Sequence, residues 1–280
     1  MTVDALTDLN RTAWLTAWSH TECGRHWDLE RPVSDWLISR LGPPPFAAEI
    51  NAFTRQGIAA RAAWIDARIV AFLAAKRQTH VEVWSLGAGF DSRWQKLLSG
   101  DYPQISHYRE FDFDAVLDAK TALLAESPWA GLWAKVERHA GDLVAGLPNS
   151  LPATDRQVLV VIEGLIDYLD RGEKRALLRA LRQRVPRGSL LLDAQNGHLL
   201  RKSNKRLRRL TGSEAARFAW APERPNRFYG EESGYRVAAS HALLPELLRR
   251  RWPITAWLPL PRRLREGYSL FCLQPREEAA

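Results

Sequence analysis

The chain has 280 residues, of which 46% are hydrophobic and 26% are charged. This length and composition suit one α/β domain with an added segment, or two small domains, with a sizeable core. No window of about 18 residues is apolar and uncharged, which argues against a membrane span. The start, MTVDALTDLNR, contains acids where a signal peptide needs basic residues, and the two cysteines lie far apart. We therefore expect a cytoplasmic protein with free thiols and without a metal site.

The net charge of +8 comes mainly from arginine and lies largely in two basic runs, residues 201–209 and 249–251. Such a run can bind a phosphate backbone, but neither a zinc finger nor an RNA-recognition motif accompanies it. We interpret the runs as solvated helix faces, which leaves nucleic-acid binding open without favouring it.

The N-terminal third of the chain is predicted to be helical. Apolar residues recur at helical spacing over 9–25, and a second short helix covers 31–41. A long alanine-rich helical stretch follows over 46–75, with a break near Gly57. Because no strand pattern occurs here, residues 1–78 are predicted to form a helical cap.

From His80 onward, predicted strands and helices alternate. The strands cover 81–86, 107–111, 133–138, 157–162 and 188–193, and the helices cover 92–99, 115–126 and 172–184. This alternation predicts an α/β fold with a doubly wound, mostly parallel, Rossmann-like sheet of seven strands. Its core occupies residues 79–198.

Beyond residue 198 the alternation loosens. A basic helix over 199–210 and a loop rich in Trp, Pro and Arg form an insertion over 199–233, which we predict to act as a substrate lid. The remaining elements are a strand at 235–239, a helix at 242–251 and a strand at 268–273. They are predicted to close the sheet within residues 234–280, with one antiparallel strand.

A glycine turn follows the first predicted strand. The sequence HVEVWSLGAGFDSR places Gly87, Ala88 and Gly89 after an apolar run, and Asp91 and Ser92 suit the N-terminus of a helix. A strand, a glycine turn and a helix N-terminus bring bare backbone against a nucleotide-like ligand. The dinucleotide fingerprint requires a third glycine where this chain has Ser92, so a single nucleoside fits better than a nicotinamide or flavin.

Acidic residues end the strands that follow. Asp112 lies 23 residues after Gly89, where a carboxylate binds ribose hydroxyls, although it suits the N-cap of the next helix equally well. Glu110 points to the opposite face and is the weaker candidate. Asp142 suits an adenine amine or an Asx turn. Glu163 ends an apolar strand, where a carboxylate is costly unless it is paired. Together these acids predict a ligand site at the carboxyl ends of successive strands.

The same residues carry a family resemblance. The runs LGAGFDSR, EFDFDAVLDAK, GDL and IEGLIDYL, with ARAAWIDARI before the first strand, resemble the leucine carboxyl methyltransferase family of class I methyltransferases. The similarity is greatest to the branch that resembles the tetracenomycin polyketide O-methyltransferase. The resemblance covers residues 9–200 and implies the cofactor S-adenosylmethionine, with S-adenosylhomocysteine as product.

The resemblance also implies a set of cofactor-binding residues. These are Arg61, Gly87, Ala88, Gly89, Asp112, Phe113, Asp142, Leu143, Glu163 and Gly164. In the implied site Arg61 pairs with the cofactor's carboxylate, Asp112 holds the ribose and Glu163 lies near the amino group. The glycine turn lines the methionine moiety, and Asp142 and Leu143 meet the adenine.

Three residues depart from the family pattern. Ser92 replaces threonine, Asp114 replaces proline and His20 replaces arginine. The first two changes are mild. The third lies in a Trp-rich segment on the side where the substrate is expected.

The implied reaction is an in-line methyl transfer in which the protein positions the reactants and excludes water. The predicted acceptor is a hydroxyl or carboxyl group on a small aromatic or polyketide-like molecule of secondary metabolism. A carboxylate needs no base, whereas a hydroxyl benefits from one, for which His198 and Tyr168 are the candidates. Three alternatives stay open: an acceptor on tRNA or on a protein carboxyl terminus, a nicotinamide-dependent oxidoreductase, and a cofactor-binding fold without catalysis.

Overall fold

The computed structural model describes residues 8–143, 151–211, 217–252 and 259–276. Its centre is a seven-stranded sheet. The strands are β1 Val81–Leu86, β2 Ile105–Asp112, β3 Glu137–Ala140, β4 Gln157–Ile162, β5 Gly188–Gln195, β6 Tyr235–Ala242 and β7 Tyr268–Pro275. They lie in the order β3-β2-β1-β4-β5-β7-β6.

The predicted topology is confirmed. Strands β1 to β5 pair in parallel, and β7 runs antiparallel between β5 and β6. The strand order reverses between β1 and β4, since β2 and β3 lie on one side of β1 and β4 and β5 lie on the other. In an open parallel sheet such a reversal leaves a crevice at the carboxyl ends of the strands.

Helices flank the sheet and precede it. They are α1 Asp8–Cys23, α2 Pro32–Leu41, α3 Ala52–Ala75, α4 Arg93–Leu98, α5 Asp114–Leu124, α6 Ala130–Trp133, α7 Arg171–Arg184, α8 Gly197–Thr211, α9 Pro225–Arg227, α10 Leu243–Arg251 and α11 Arg262–Arg265. None of the helices within the described ranges is long and apolar enough to span a membrane.

The sheet separates two apolar layers. In β1, Val81 and Val83 pack into one layer and Trp84 and Leu86 into the other, as the alternation of side chains along a strand requires. Every residue of β1 and of β5 is buried. Strands covered on both faces need apolar side chains on both, which explains why they are near-continuous hydrophobic runs.

Two boundary predictions are wrong. The third strand was expected over 133–138 but begins at Glu137, because Trp133 ends the short helix α6 and packs against Trp94, with ring centroids 5.1 Å apart. The expected break near Gly57 is absent, since α3 is continuous over Ala52–Ala75. This helix begins where the side chain of Asn51 accepts a hydrogen bond from the backbone of Thr54, at 2.9 Å.

Candidate active site

A cavity of about 530 Å³ lies at the carboxyl ends of β1, β2, β4 and β5, beneath residues of α1, α3 and α8. All ten residues predicted to bind the cofactor line this cavity. The structure therefore brings together side chains that are widely separated in the sequence. Their individual roles toward a ligand stay predictions.

The glycine turn is held by the neighbouring strand. The backbone N–H of Gly87 donates to the carbonyl of Phe111 at 2.8 Å, and Gly87 and Gly89 have φ angles of 65° and 50°. A Cβ added to Gly89 would lie 2.9 Å from the Cβ of Ala13 in α1. Positive φ and this close approach both require glycine, so the turn presents backbone to the cavity.

The side chain of Asp112 is hydrogen-bonded to the glycine turn. Its carboxylate accepts hydrogen bonds from the N–H of Gly89 at 2.6 Å and from the N–H of Phe113 at 2.7 Å. Burial raises the pKa of Asp112, and these two donors oppose that rise. The alternative of an N-cap is wrong, because α5 begins at Asp114 with Phe113 in the capping position.

Glu110, the weaker ribose candidate, precedes Asp112 by two residues in β2, and because alternate residues of a strand share a face, the prediction of an opposite face is wrong. Both of its carboxylate oxygens accept hydrogen bonds from the buried ammonium of Lys120, at 2.8 and 2.7 Å. Glu110 is absent from the described residues that line the cavity.

Arg61 joins α3 to the strand ends. Its Nε donates to Glu163 at 2.8 Å, and its Nη1 donates to the hydroxyl of Tyr268 at 3.0 Å and to Asp193 at 3.3 Å. Its Nη2 donates to no residue in the described part of the chain, so one edge of the guanidinium is left for a ligand. The guanidinium lies over Gly164, where an added Cβ would be 3.2 Å from Nη1.

Asp193 and Tyr268 belong to the same network, although sequence reasoning did not identify them as site residues. Asp193 is 2% exposed, and its carboxylate accepts from the N–H of Gly164 at 2.6 Å and from Tyr268 at 2.5 Å. Asp193 follows an apolar run in LLLDAQ, and there, as at Glu163, a buried carboxylate is costly unless it is paired.

Arg93 was not identified from the sequence as a site residue, yet it is buried among carboxylates. It bonds to Asp66 at 2.6 Å, pairs with Asp91 at 3.0 Å and donates to Glu163. Two guanidinium groups, from Arg93 and Arg61, hold the pKa of Glu163 well below its usual range despite its burial. Glu163 therefore stays ionised at the cavity wall.

His20 is the unusual member of the cavity lining. It is 2% exposed, and neither ring nitrogen has a hydrogen-bond partner among the described residues. Burial lowers its pKa to about 4, with Arg31 and Arg93 contributing against the nearby charge of Glu163. The imidazole is therefore neutral at pH 7, whereas the resemblance implies an arginine at this position.

Asp142 and Leu143 follow β3 at the edge of the cavity. Asp142 is exposed and Leu143 is buried. The N–H of Gly141 donates to the carbonyl of Asp112 at 2.9 Å, which fixes this turn beside the ribose candidate.

The two candidate bases lie in different places. Tyr168 lines the cavity, with its ring 4.8 Å from that of Phe218, and burial raises the pKa of its hydroxyl. His198 is absent from the described lining residues.

Residues 44–182 match the sequence profile of the family described as Leucine carboxyl methyltransferase. The chain belongs to the leucine carboxyl methyltransferase family. It is 28% identical over 212 residues to the tetracenomycin polyketide synthesis O-methyltransferase TcmP of Streptomyces glaucescens, a match that covers 71% of this chain and 73% of that protein.

The fold is similar to that of a crystal structure from Thermobifida fusca YX assigned to the methyltransferases. The TM-score is 0.55 at 15% identity, covering 86% of this chain and 94% of that one. At this identity the likeness shows the shared fold. As a family member with this fold, the chain is an S-adenosylmethionine-dependent O-methyltransferase, which decides against the nicotinamide-dependent alternative.

Proposed function

We propose that this leucine carboxyl methyltransferase family member methylates a hydroxyl or carboxyl oxygen of a small aromatic or polyketide-like molecule. The cavity carries the proposal, because its strand-end side has glycine backbone and carboxylates while its helical side is largely apolar. The relative from Streptomyces glaucescens, named for polyketide synthesis, supports this acceptor class.

The residues at the strand ends fit S-adenosylmethionine. A glycine turn admits a ligand against bare backbone, Asp112 suits ribose hydroxyls and Glu163 suits an ammonium group. Neutral His20 and the Nη2 of Arg61 supply N–H donors without partners in the described structure. We assign the cofactor to the ten residues named above.

When bound, S-adenosylmethionine supplies an activated methyl group on a sulfonium. The chain's own residues bind and orient the two reactants and exclude water between the sheet and helices α1, α3 and α8. Ionised Glu163 faces this region and favours positive charge there.

Tyr168 holds its proton at neutral pH, because burial raises its pKa. It therefore serves as a hydrogen-bond donor that orients the acceptor. A carboxylate acceptor, already ionised, needs no base. We assign acceptor binding to the helical cap and to the described part of the 199–233 insertion.

Calorimetric titration with S-adenosylhomocysteine tests the cofactor assignment, with NAD as the control ligand and Asp112→Ala as the comparison protein. We expect micromolar binding of the thioether alone and its loss in Asp112→Ala. Turnover with a panel of aromatic hydroxy acids tests the acceptor class. Tighter binding of NAD, or no binding of the thioether, contradicts the proposed site.

A further inference from the structure

The charges around the cavity are divided between its two sides. Its carboxylates come from the strand ends and the turns directly after them. On the helical side, built from residues 46–58, α8 and α10, the described lining residues include no carboxylate but two cations, Lys202 and Arg206. The described carboxylates of the cavity therefore lie at the strand ends, together with Arg61 and Arg93, whereas the helical side has cations without carboxylates.

The two cations belong to a stripe along α8. The residues of this helix that line the cavity are Leu199, Lys202, Ser203, Arg206 and Leu207. Their spacing of three and four residues places them on one face of the helix. The basic run in the sequence therefore has two faces: Lys202 is exposed but lines the cavity, whereas Lys205 is exposed and absent from the cavity lining.

No carboxylate in the described structure neutralises either cation of the stripe. Lys202 has neither a hydrogen bond nor an ion pair with the described residues. Arg206 donates to two neutral oxygens, the hydroxyl of Thr54 at 2.7 Å and the carbonyl of Glu49 at 3.4 Å. Arg201, outside the lining, pairs instead with Glu223 at 3.0 Å.

Apolar side chains line the helical side of the cavity together with these cations. They include Phe46, Ile50 and Phe53, and Phe218 lies beside Tyr168. A ligand that fits this half of the cavity has an apolar, ring-sized body and an anionic group.

We infer that the acceptor carries an ionised carboxylate that Lys202 and Arg206 bind, apart from the oxygen that receives the methyl group. This inference rests on the proposed function and specifies its substrate as an aromatic acid. Holding the acid at α8 fixes which oxygen of the acceptor faces the strand ends.

Binding of matched acids and amides tests the inference. The probes are hydroxybenzoic, hydroxynaphthoic and hydroxyanthracene carboxylic acids and their neutral carboxamides, each titrated calorimetrically into protein saturated with S-adenosylhomocysteine. We expect at least one acid to bind about tenfold more tightly than its amide, as one charge-assisted contact provides. Lys202→Gln and Arg206→Gln should each reduce that preference, and the double variant should abolish it with amide binding unchanged.

Three control variants separate the charge from other effects. Lys205→Gln, on the outer face of α8, should keep the preference, as should Arg206→Lys. Thr54→Val removes the hydrogen bond of Arg206 without removing its charge and should keep the preference as well.

Equal binding of every acid and amide by the wild-type protein, including failure of all acids to bind, overturns the inference. An equal loss in Lys205→Gln also overturns it and indicates a large acceptor, such as RNA, on the outer face. Titration of S-adenosylhomocysteine into each variant keeps the two proposals apart: if the thioether binds and the preference is absent, only the acid assignment fails.

Discussion

At the scale of single residues, Gly164 shows how one missing Cβ shapes the site. Its φ is 70°, and the guanidinium of Arg61 lies where a side chain would begin. Glycine at position 164 therefore allows the positive φ and leaves room for the guanidinium of Arg61.

We predict that Gly164→Ala destabilises the protein by about 1–3 kcal/mol from backbone strain and displaces Arg61. The matched control is Gly42→Ala, since Gly42 has a φ of 73° and an added Cβ there meets nothing within 4 Å. Denaturant unfolding should show a loss of stability in both variants. In calorimetry, only Gly164→Ala should weaken the binding of S-adenosylhomocysteine. Equal binding by the two variants contradicts the role given to Arg61.

His20 predicts a pH dependence of stability. Its pKa is about 4 in the folded protein and 6.5 when unperturbed. Between these values the unfolded chain binds a proton that the folded chain does not, so stability falls as the pH drops from 6.5 to 4, by about 3 kcal/mol from this group. Above pH 6.5 and below pH 4, His20 does not make the stability depend on pH.

A comparison of the wild type with His20→Leu isolates the contribution of His20 to the pH dependence of stability. Urea unfolding at several pH values should show a shallower loss between pH 6.5 and 4 in His20→Leu than in the wild type. The control, His26→Leu, changes an exposed histidine and should keep the wild-type slope. A parallel decline in His20→Leu and the wild type would show that the buried imidazole is not the cause.

At the scale of elements, the start of α3 connects helix stability to acceptor binding. Asn51 caps this helix between Ile50 and Phe53, both of which line the cavity. Asp170 caps α7 in the same way, through a capping box with Glu173, and does not line the cavity.

We predict that Asn51→Ala and Asp170→Ala each cost about 1 kcal/mol of stability, because each leaves helix N–H groups without an acceptor. Asn51→Ala should raise KM for the methyl acceptor more than Asp170→Ala does, since Ile50 and Phe53 flank Asn51 on both sides in the apolar lining, whereas lining residues only precede Asp170. Unfolding curves and initial rates measure the two effects. A similar rise in KM for Asp170→Ala would point to a general effect of lower stability.

At the scale of the whole molecule, a buried ionic network ties the helical cap to the sheet. Glu163 at the end of β4 binds Arg61 from α3 and Arg93 from α4, and Arg93 binds Asp66 of α3. Removing one charge from a buried network leaves its partners without compensation.

Glu163→Gln should therefore destabilise the protein by about 3–5 kcal/mol, measured by denaturant unfolding. The control is Glu137→Gln: Glu137 pairs with Arg109 at 2.7 Å, but its side chain is 39% exposed, so the loss should stay below about 1 kcal/mol. Equal losses in the two variants would show that the network does not connect cap and sheet.

The sequence by itself determined the doubly wound, mostly parallel sheet, its antiparallel closing strand, the glycine turn and the acids at the strand ends. These features depend on local patterns: apolar runs, glycine and the first polar residue after a strand. Local patterns misplaced β3, because the apolar residues around Trp133 suit a strand as well as a helix that anchors a tryptophan.

Only the tertiary structure decided which charges meet. Arg61 and Glu163 are 102 residues apart, and Arg61 and Tyr268 are 207 apart. Neither pairing follows from a periodic pattern or from residues that are neighbours in the sequence. The isolation of His20 and the face of α8 that lines the cavity are likewise products of packing, since burial and partners arise only when distant elements come together.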